Sequence, residues 1–153
     1  MKNFMAKVVI GADHAGFSLK EEVKKLLISK KITVEDMGAF SKSDKDDYPD
    51  FAFKVAEKVS KDKEFKGILI CGTGSGMAMA ANKVKGVRAV FAYDSYSVKM
   101  SKLHNDSNVL CLRGRNFSFV KAKRLVWLWL ATCFEREKRH IRRIKKIEDY
   151  EKK

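Results

Sequence analysis

The segment that decides the fold of this chain is Ile68-Leu69-Ile70-Cys71-Gly72-Thr73-Gly74-Ser75-Gly76-Met77-Ala78. Its apolar run predicts a buried strand ending at Cys71, its glycines predict a tight loop, and the alanine- and methionine-rich residues beyond predict a helix. The backbone amides of such a loop can hold an anion. A thiol beside a helix start lies near the positive end of the helix dipole, which favours the thiolate. One segment therefore combines a candidate base or nucleophile with an anion cradle.

Composition predicts a single globular domain over residues 1–153. Hydrophobic residues make up 45% of the chain, Pro49 is its one proline, and no linker or internal repeat divides it. A chain of this length can bury a proper core. Residues 1–7 lack the apolar core of a secretory signal, and no apolar run is long enough to span a bilayer. Three cysteines do not make a disulfide framework. We therefore expect a cytoplasmic protein with reduced thiols and no membrane partner.

The formal net charge of +14 comes from 33 basic and 19 acidic residues. Such an excess fits nucleic-acid binding, an anionic small-molecule substrate, or a lysine-rich surface without specific meaning. Most of the lysines are scattered, which favours a solvated surface. The densest basic stretch, residues 136–146, holds Arg139 and Arg143 four residues apart, so a helix would present both on one face. Two guanidinium groups placed in this way suit a phosphate, although an ordinary basic helix has the same pattern.

The rest of the chain alternates apolar strands with amphipathic helices. The predicted strands are 7–12, 32–37, 67–71, 87–92 and 108–112. The predicted helices are 17–29, one capped by Asp50, 77–84, one capped by Asp94 or Ser95 and ending near 104, 117–135, and one from 138 onward. This alternation predicts an α/β fold, a three-layer α/β/α sandwich with a five-stranded parallel, Rossmann-like sheet and a C-terminal basic helix.

In such a sheet, ligands bind at the carboxyl ends of the strands. Asp13-His14, residues 71–76 and residues 113–115 all fall there, so we expect the chemistry to gather at that edge. Two familiar glycine motifs are excluded as nucleotide sites. Residues 72–77 resemble a dinucleotide fingerprint, but the last glycine is displaced and the motif follows the third strand instead of the first. Residues 11–18 resemble the start of a P-loop, but the P-loop lysine is missing.

Each candidate residue also has a structural interpretation. Cys71 is either a small buried hydrophobe or a reactive thiol, and the glycine loop beside it favours the second because its amides can face a developing oxyanion. Cys111 and Cys133 lack such a loop and are interpreted as packing residues. Asp13-His14 either caps the first helix or binds a ligand, and residues 104–106 by themselves are a polar turn.

Six motifs occur in an order that resembles type B ribose-5-phosphate isomerases, a family that includes the galactose-6-phosphate isomerase subunits. They cover nearly the whole chain, from about Lys7 to Tyr150, and are Gly11-Ala12-Asp13-His14-Ala15-Gly16-Phe17, Asp47-Tyr48-Pro49, Cys71-Gly72-Thr73-Gly74-Ser75-Gly76, Ala80-Ala81-Asn82-Lys83, Gly86-Val87-Arg88-Ala89 and His104-Asn105-Asp106-Ser107-Asn108-Val109-Leu110.

The resemblance implies an aldose–ketose isomerase that works through an enediolate. Cys71 is then the base that moves a proton between C1 and C2 of the open-chain sugar. The loop 72–76 stabilises the enediolate with its amides, and Thr73 assists with hydroxyl protons. His104 acts as acid and base in opening the furanose ring, although His140 could share that role.

The resemblance also implies how the substrate is bound. His14, Arg139 and Arg143 lie toward its phosphate, while Tyr48 lines the pocket. The implied substrate-binding set is Asp13, His14, Tyr48, Gly72, Gly74, Ser75, Gly76, Asn105, Arg115, Arg139 and Arg143. Family members are homodimers or dimers of dimers whose sites combine residues of two subunits. We expect no metal or cofactor, because an enediol path needs neither and no metal-ligand spacing is visible.

Three functions follow from these observations. The first is interconversion of ribose 5-phosphate and ribulose 5-phosphate in the pentose phosphate pathway. The second is isomerisation of a hexose phosphate, allose or galactose 6-phosphate. The third, a basic nucleic-acid-binding module, is motivated by charge alone and lacks the interleaved aromatic and basic residues of such modules. We therefore expect a phosphorylated sugar, and not nucleic acid, as the ligand.

Overall fold

The computed structural model describes residues 7–43 and 45–153, so the prediction for the N-terminal signal region lies mostly outside the described residues. Five strands form one parallel sheet in the order β2-β1-β3-β5-β4. They are β1 Lys7–Ala12, β2 Thr33–Asp36, β3 Phe65–Cys71, β4 Ala89–Phe91 and β5 Val109–Arg113. The predicted five-stranded parallel sheet is confirmed, with shorter edge strands than the apolar pattern suggests.

Six helices connect and flank the strands. They are α1 Phe17–Ser29, α2 Tyr48–Lys61, α3 Ser75–Ala81, α4 Ser95–Leu103, α5 Phe119–Ala131 and α6 Lys138–Tyr150. Asp94 caps α4 as predicted, because its carboxylate accepts the Ser97 amide at 2.8 Å. The predicted Asp50 cap is wrong. Pro49, at the start of α2, suits a first helical turn, so Asp47 is the N-cap and Asp50 falls inside that turn.

The helices bury both faces of the sheet. On one face, residues of α1, α4 and α5 pack on alternate strand residues such as Ile10, Ile68 and Leu110. On the other face, residues of α2 and α3 pack on Val9, Leu69 and Cys111. This arrangement is the predicted three-layer sandwich, and it explains why β1, β3 and β5 are mostly apolar. Within the described part of the chain, no helix is long and apolar enough to cross a membrane.

Strand direction divides the molecule into two edges. At the carboxyl edge, β1 ends at Ala12 opposite Ile70, and β3 ends at Cys71 opposite Arg113. At the amino edge, α4 and its following turn lead into β5, and α6 lies nearby, since the Gly86 amide donates to Glu151 at 3.0 Å. Sequence-predicted site residues occur at both edges.

Candidate active site

Cys71 is the last residue of β3 and is only 4% exposed. The loop after it turns back over the sulfur, and the Gly74 amide donates a hydrogen bond to Cys71 Sγ at 3.1 Å. Gly74 has a φ of 84°, and a β-carbon there would lie 2.7 Å from the Phe91 ring. A glycine is therefore required both by the left-handed backbone and by the space. The loop fixes the thiol in a defined position beside the start of α3.

The turn after β5 packs directly against this loop. The Gly114 amide donates to the Cys71 carbonyl at 2.8 Å, and the Arg115 amide donates to the Gly72 carbonyl at 3.3 Å. A β-carbon on Gly114 would lie 2.6 Å from the Ala15 carbonyl oxygen, so only glycine allows the turns after β1 and β5 to approach so closely. These contacts hold the Arg115 guanidinium over the glycine loop.

Asp13 and His14 occupy the turn after β1. The Asp13 carboxylate accepts the Ala15 and Gly16 amides, each at 3.0 Å, so it organises the turn into α1. Burial raises the pKa of Asp13, although those amides partly offset the effect. His14 Nδ1 lies 2.5 Å from Asp46 Oδ1, and this hydrogen bond raises the pKa of His14.

A cleft of about 380 Å³ opens beside the glycine loop, with Thr73, Ser75 and Arg115 among its lining residues. The Tyr48 ring closes on the far side of the loop, since a β-carbon on Gly76 would lie 2.7 Å from it. The structure thus brings together ten predicted site residues at the carboxyl edge. They are Asp13, His14, Tyr48, Cys71, Gly72, Thr73, Gly74, Ser75, Gly76 and Arg115.

The other predicted residues lie at the amino edge. His104 follows α4 and stacks on His140 of α6, with ring centroids 4.4 Å apart and planes 10° from parallel. Both rings approach one carboxylate: Glu135 Oε1 lies 3.4 Å from His104 Nε2 and 2.8 Å from His140 Nε2. His140 is 4% exposed, whereas His104 is partly open to solvent. These residues form a histidine–glutamate cluster that sequence spacing does not reveal.

Asn105 follows His104 in the chain, and Arg139 and Arg143 lie on the same helix as His140. Arg88 holds the turn that carries Asn105, donating to the backbone carbonyls of Asn105 and Asp106 at 3.2 and 3.0 Å. Arg139 and Arg143 project from one face of α6, as predicted, and both are exposed. Arg139 Nε lies 2.7 Å from Glu137, and that pair is open to solvent.

The two groups of residues are separated by the length of the sheet. β5 runs between the edges, and its five residues span about 13 Å at the usual rise of a parallel strand. Proton transfer requires hydrogen-bond distances. The expectation that site chemistry gathers at one edge therefore holds for the carboxyl-edge residues, whereas His104, Asn105, Arg139 and Arg143 of the same chain lie at the other edge.

Asp46 and Glu135 are functional candidates that sequence reasoning missed. Asp46 lies in the loop after β2, whose parallel direction brings it to the carboxyl edge, so its position was available as a signal. Glu135 lies in a segment predicted to be helical, but α5 ends at Ala131 and the extended residues that follow carry Glu135 to the histidines. Asp46 completes the group Asp13–His14–Asp46, and Glu135 completes the group His104–Glu135–His140. In each group the side chains are of kinds that can bind a metal ion, and one nitrogen or oxygen atom of each lies within 4.8 Å of the others.

Two of the packing predictions differ in outcome. Cys111 is fully buried, as expected, and burial raises its pKa strongly. Cys133 is exposed, because the chain leaves the helical conformation at Thr132, so its interpretation as a packing residue is wrong.

The chain is similar to proteins that are named as sugar-phosphate isomerases. The model of the Ribose/Galactose Isomerase family matches residues 8–147. The ribose-5-phosphate isomerase B of Escherichia coli is 42% identical over 94% of this chain and 95% of that protein. The D-erythrulose-4-phosphate isomerase 2 of Mycolicibacterium smegmatis is 43% identical over 95% and 97% of the two chains.

Solved structures agree with the sequence relatives. The ribose-5-phosphate isomerase B of Mycoplasma genitalium with bound ribulose-5-phosphate superposes with a TM-score of 0.92 at 43% identity, covering 96% of this chain and 97% of that one. The region matched by the family model includes both the loop around Cys71 and the histidine–glutamate cluster. The chain belongs to the ribose/galactose isomerase family.

Proposed function

We propose that this protein interconverts ribose 5-phosphate and ribulose 5-phosphate through an enediolate, with Cys71 as the base. The observation that carries the proposal is the fixed thiol of Cys71 beneath the glycine loop at the carboxyl edge of the sheet. Relatives with this activity match almost the full length of the chain. Membership of a metabolic enzyme family also supports a cytoplasmic location.

The proton-transfer step needs a base at the carbon acid and donors for the charge that develops on oxygen. The Gly74 amide is already directed at Cys71 Sγ, so it positions the sulfur. The amides of the first turn of α3, at Ser75 and Gly76, have no acceptor within the helix and are the donors we assign to the enediolate. Thr73, exposed at the loop tip, is assigned the transfer of hydroxyl protons.

Ring opening and phosphate binding are assigned to the other residues. The His104 ring, held beside Glu135 and His140, is the proposed acid and base for opening the furanose. Arg139, Arg143 and His14 are the proposed phosphate ligands. Asp13, Tyr48, Asn105 and Arg115 are the proposed contacts to the sugar and its pocket.

This assignment requires two subunits. His104 and the arginines of one chain are too far from Cys71 of the same chain to share a substrate, so we propose a dimer in which the carboxyl edge of one subunit meets the amino edge of its partner. The surface of α6 supports the idea, because Ile141 and Ile147 are 47% and 51% exposed and a 13-residue helix is marginal without packing. A dimer of dimers would contain the same shared site.

A second candidate substrate is D-erythrulose 4-phosphate. A relative named for that substrate is as similar to this chain as those named for ribose 5-phosphate. The proton transfer is the same, but a four-carbon sugar with a phosphorylated terminal hydroxyl cannot close a five-membered ring. Comparison of kcat/KM for ribose 5-phosphate, erythrulose 4-phosphate, allose 6-phosphate and galactose 6-phosphate ranks the candidates.

Replacement of the base tests the proposal. In Cys71→Ala we expect kcat to fall by about 10³-fold or more, with a KM within a few-fold of the unchanged protein, because the variant loses proton transfer and keeps the phosphate ligands. The matched control is Cys133→Ser, an exposed cysteine outside the candidate site. Near-normal turnover of Cys71→Ala would show that another group is the base.

A further inference from the structure

A second cavity lies at the amino edge of the sheet, between the start of β3 and the segment after α5. Its volume is about 320 Å³, the low end of the range for small-molecule sites. Trp129, Leu130 and Phe134 form an apolar wall, while Lys66, Lys102 and other polar residues form the rest of the lining. None of the residues assigned to the substrate lines this cavity.

Lys102 is the central cation of the cavity. Its side chain is 8% exposed, and within the described part of the chain Nζ donates one hydrogen bond, to the Ser107 carbonyl at 3.0 Å. Nζ also lies 5.2 Å from the centre of the Trp129 ring and 3.8 Å from Asp106 Oδ1, an ion-pair distance that is too long for a hydrogen bond. An ammonium has three donors, so Lys102 retains donor capacity. A buried, incompletely satisfied ammonium is costly unless a further acceptor arrives.

The charges around Lys102 are mostly positive. Lys66 on β3 and Arg88 before β4 both act on it, Cys133 after α5 also faces it, and Arg136 lines the cavity. The acidic neighbour is Asp106, but Arg88 Nη2 already pairs with that carboxylate at 3.1 Å. Burial, with the mutual repulsion of the cations, lowers the pKa of Lys66 and lowers that of Lys102 to about 8.

We propose that this cavity binds a small metabolite through a phosphate group or a similar compact oxyanion, with Lys66 and Lys102 as its direct ligands. The anion accepts from the ammonium donors that the protein leaves unused and balances the excess positive charge. The apolar wall beside Trp129 takes the uncharged part of the ligand. The cavity lining contains none of the residues assigned to the substrate, so sulfate binding there can be tested independently of the isomerase assignment.

The site also predicts a pH dependence of binding. An anion stabilises the charged form of Lys102. Anion binding therefore takes up a proton once the pH exceeds about 8, the pKa of Lys102 in the cavity without ligand. Sulfate keeps its charge throughout that range, so any change in its affinity with pH comes from titration of the protein. Its affinity is expected to be nearly constant below pH 7 and to fall by up to about tenfold per pH unit above pH 8.

Titration of the full-length protein with sulfate and with inorganic phosphate tests the site, followed by NMR of ¹³C-labelled lysine side chains. The background R139Q/R143Q removes both arginines among the three proposed substrate phosphate ligands. We expect the Lys66 and Lys102 signals to shift on titration, and the affinity to fall about tenfold or more in Lys66→Met and in Lys102→Met. The matched control is Lys99→Met, an exposed lysine on the same helix as Lys102.

Two results would overturn the proposal. One is sulfate binding that survives unchanged in both Lys66→Met and Lys102→Met. The other is binding that disappears in R139Q/R143Q alone, because the ion would then belong to the substrate site. If Lys102→Met does not fold, Lys66→Met decides, since Lys66 is less buried and its removal leaves the Ser107 contact intact.

Discussion

Individual side chains divide the proposed reaction into separate tasks. Cys71 is held by the Gly74 amide at the end of β3, while His104 shares Glu135 with His140 at the opposite edge. The first position suits a carbon acid and the second suits a ring hydroxyl. Because proton transfer and ring opening are assigned to different residues, a substrate that needs only proton transfer can distinguish the two roles.

Substitution His104→Gln is expected to affect substrates unequally. Ribose 5-phosphate must open its furanose ring before proton transfer, whereas erythrulose 4-phosphate has no such ring. We expect kcat/KM for ribose 5-phosphate to fall by about 10²-fold or more, as is usual for loss of a general acid–base group, and that for erythrulose 4-phosphate to change little.

Steady-state assays of both substrates on the same preparation measure this ratio. Cys71→Ala is the control, because it removes proton transfer and lowers both activities together. Equal losses in His104→Gln would contradict a role in ring opening.

We expect Asp46 to set the pH range over which His14 can act as the proposed phosphate ligand. Its hydrogen bond raises the pKa of His14, so the imidazolium persists to a higher pH than an ordinary histidine and is lost as the pH rises through the raised value. In Asp46→Asn we expect the pKa of His14 to fall and KM to begin rising at a lower pH.

NMR titration of His14 and the pH profile of KM measure the two effects. Asp47→Asn serves as the control, because Asp47 is exposed and its side chain makes no cap hydrogen bond. An unchanged His14 titration in Asp46→Asn would contradict this coupling.

At the scale of elements, tight turns at the strand ends build the carboxyl edge. Gly16 begins α1 directly against β3, where a β-carbon would lie 2.3 Å from the Ile70 carbonyl oxygen. Backbone cannot move aside as a flexible side chain can. The close approach of α1 to β3 therefore depends on this glycine, and it fixes the turn that carries Asp13 and His14.

Gly16→Ala is expected to lower the free energy of unfolding by about 1–3 kcal/mol, the usual cost of overpacking. Gly72→Ala is the matched control, because its β-carbon would lie 3.4 Å from the flexible end of Arg115. Urea unfolding of both variants measures the difference. Equal stabilities would show that α1 moves away from β3 at little cost.

At the scale of the molecule, the two halves of the proposed site lie at opposite edges of the sheet in one chain. In the proposed two-fold dimer, each carboxyl edge meets the amino edge of the partner, and this gives two complete sites. Cys71→Ala and His104→Gln damage different halves. When both variants are mixed, a hybrid dimer combines both damaged halves in one site and leaves the other site intact.

Refolding an equal mixture of these two inactive variants is expected to restore about a quarter of the wild-type activity toward ribose 5-phosphate, since half of the dimers are hybrids with one intact site each. Mixing Cys71→Ala with Asp13→Asn is the control, because both changes lie at the carboxyl edge and every site stays damaged. An inactive first mixture would contradict the shared site.

The sequence alone determined the architecture and the carboxyl-edge half-site. Strand patterns are local, and the parallel direction of β1, β3 and β5 brings their carboxyl ends together. The sequence therefore predicts that Asp13, Cys71 and Arg115 lie at the same edge of the sheet. The sequence did not determine every helix end. The apolar pattern predicts a helix to residue 135, but α5 ends at Ala131 and Thr132 is already extended.

Only the tertiary structure decided where the remaining residues lie. The stacking of His104 on His140, their common contact with Glu135 and the burial of Lys102 join residues distant in sequence through the packing of α4 and α6, which no periodicity encodes. The family resemblance implied that sites combine two subunits, and the separation of the residues along the sheet is the physical reason for proposing the same arrangement here. A parallel sheet holds its two edges a full strand length apart, so His104, which precedes β5, lies far from Cys71, which ends β3, within one chain.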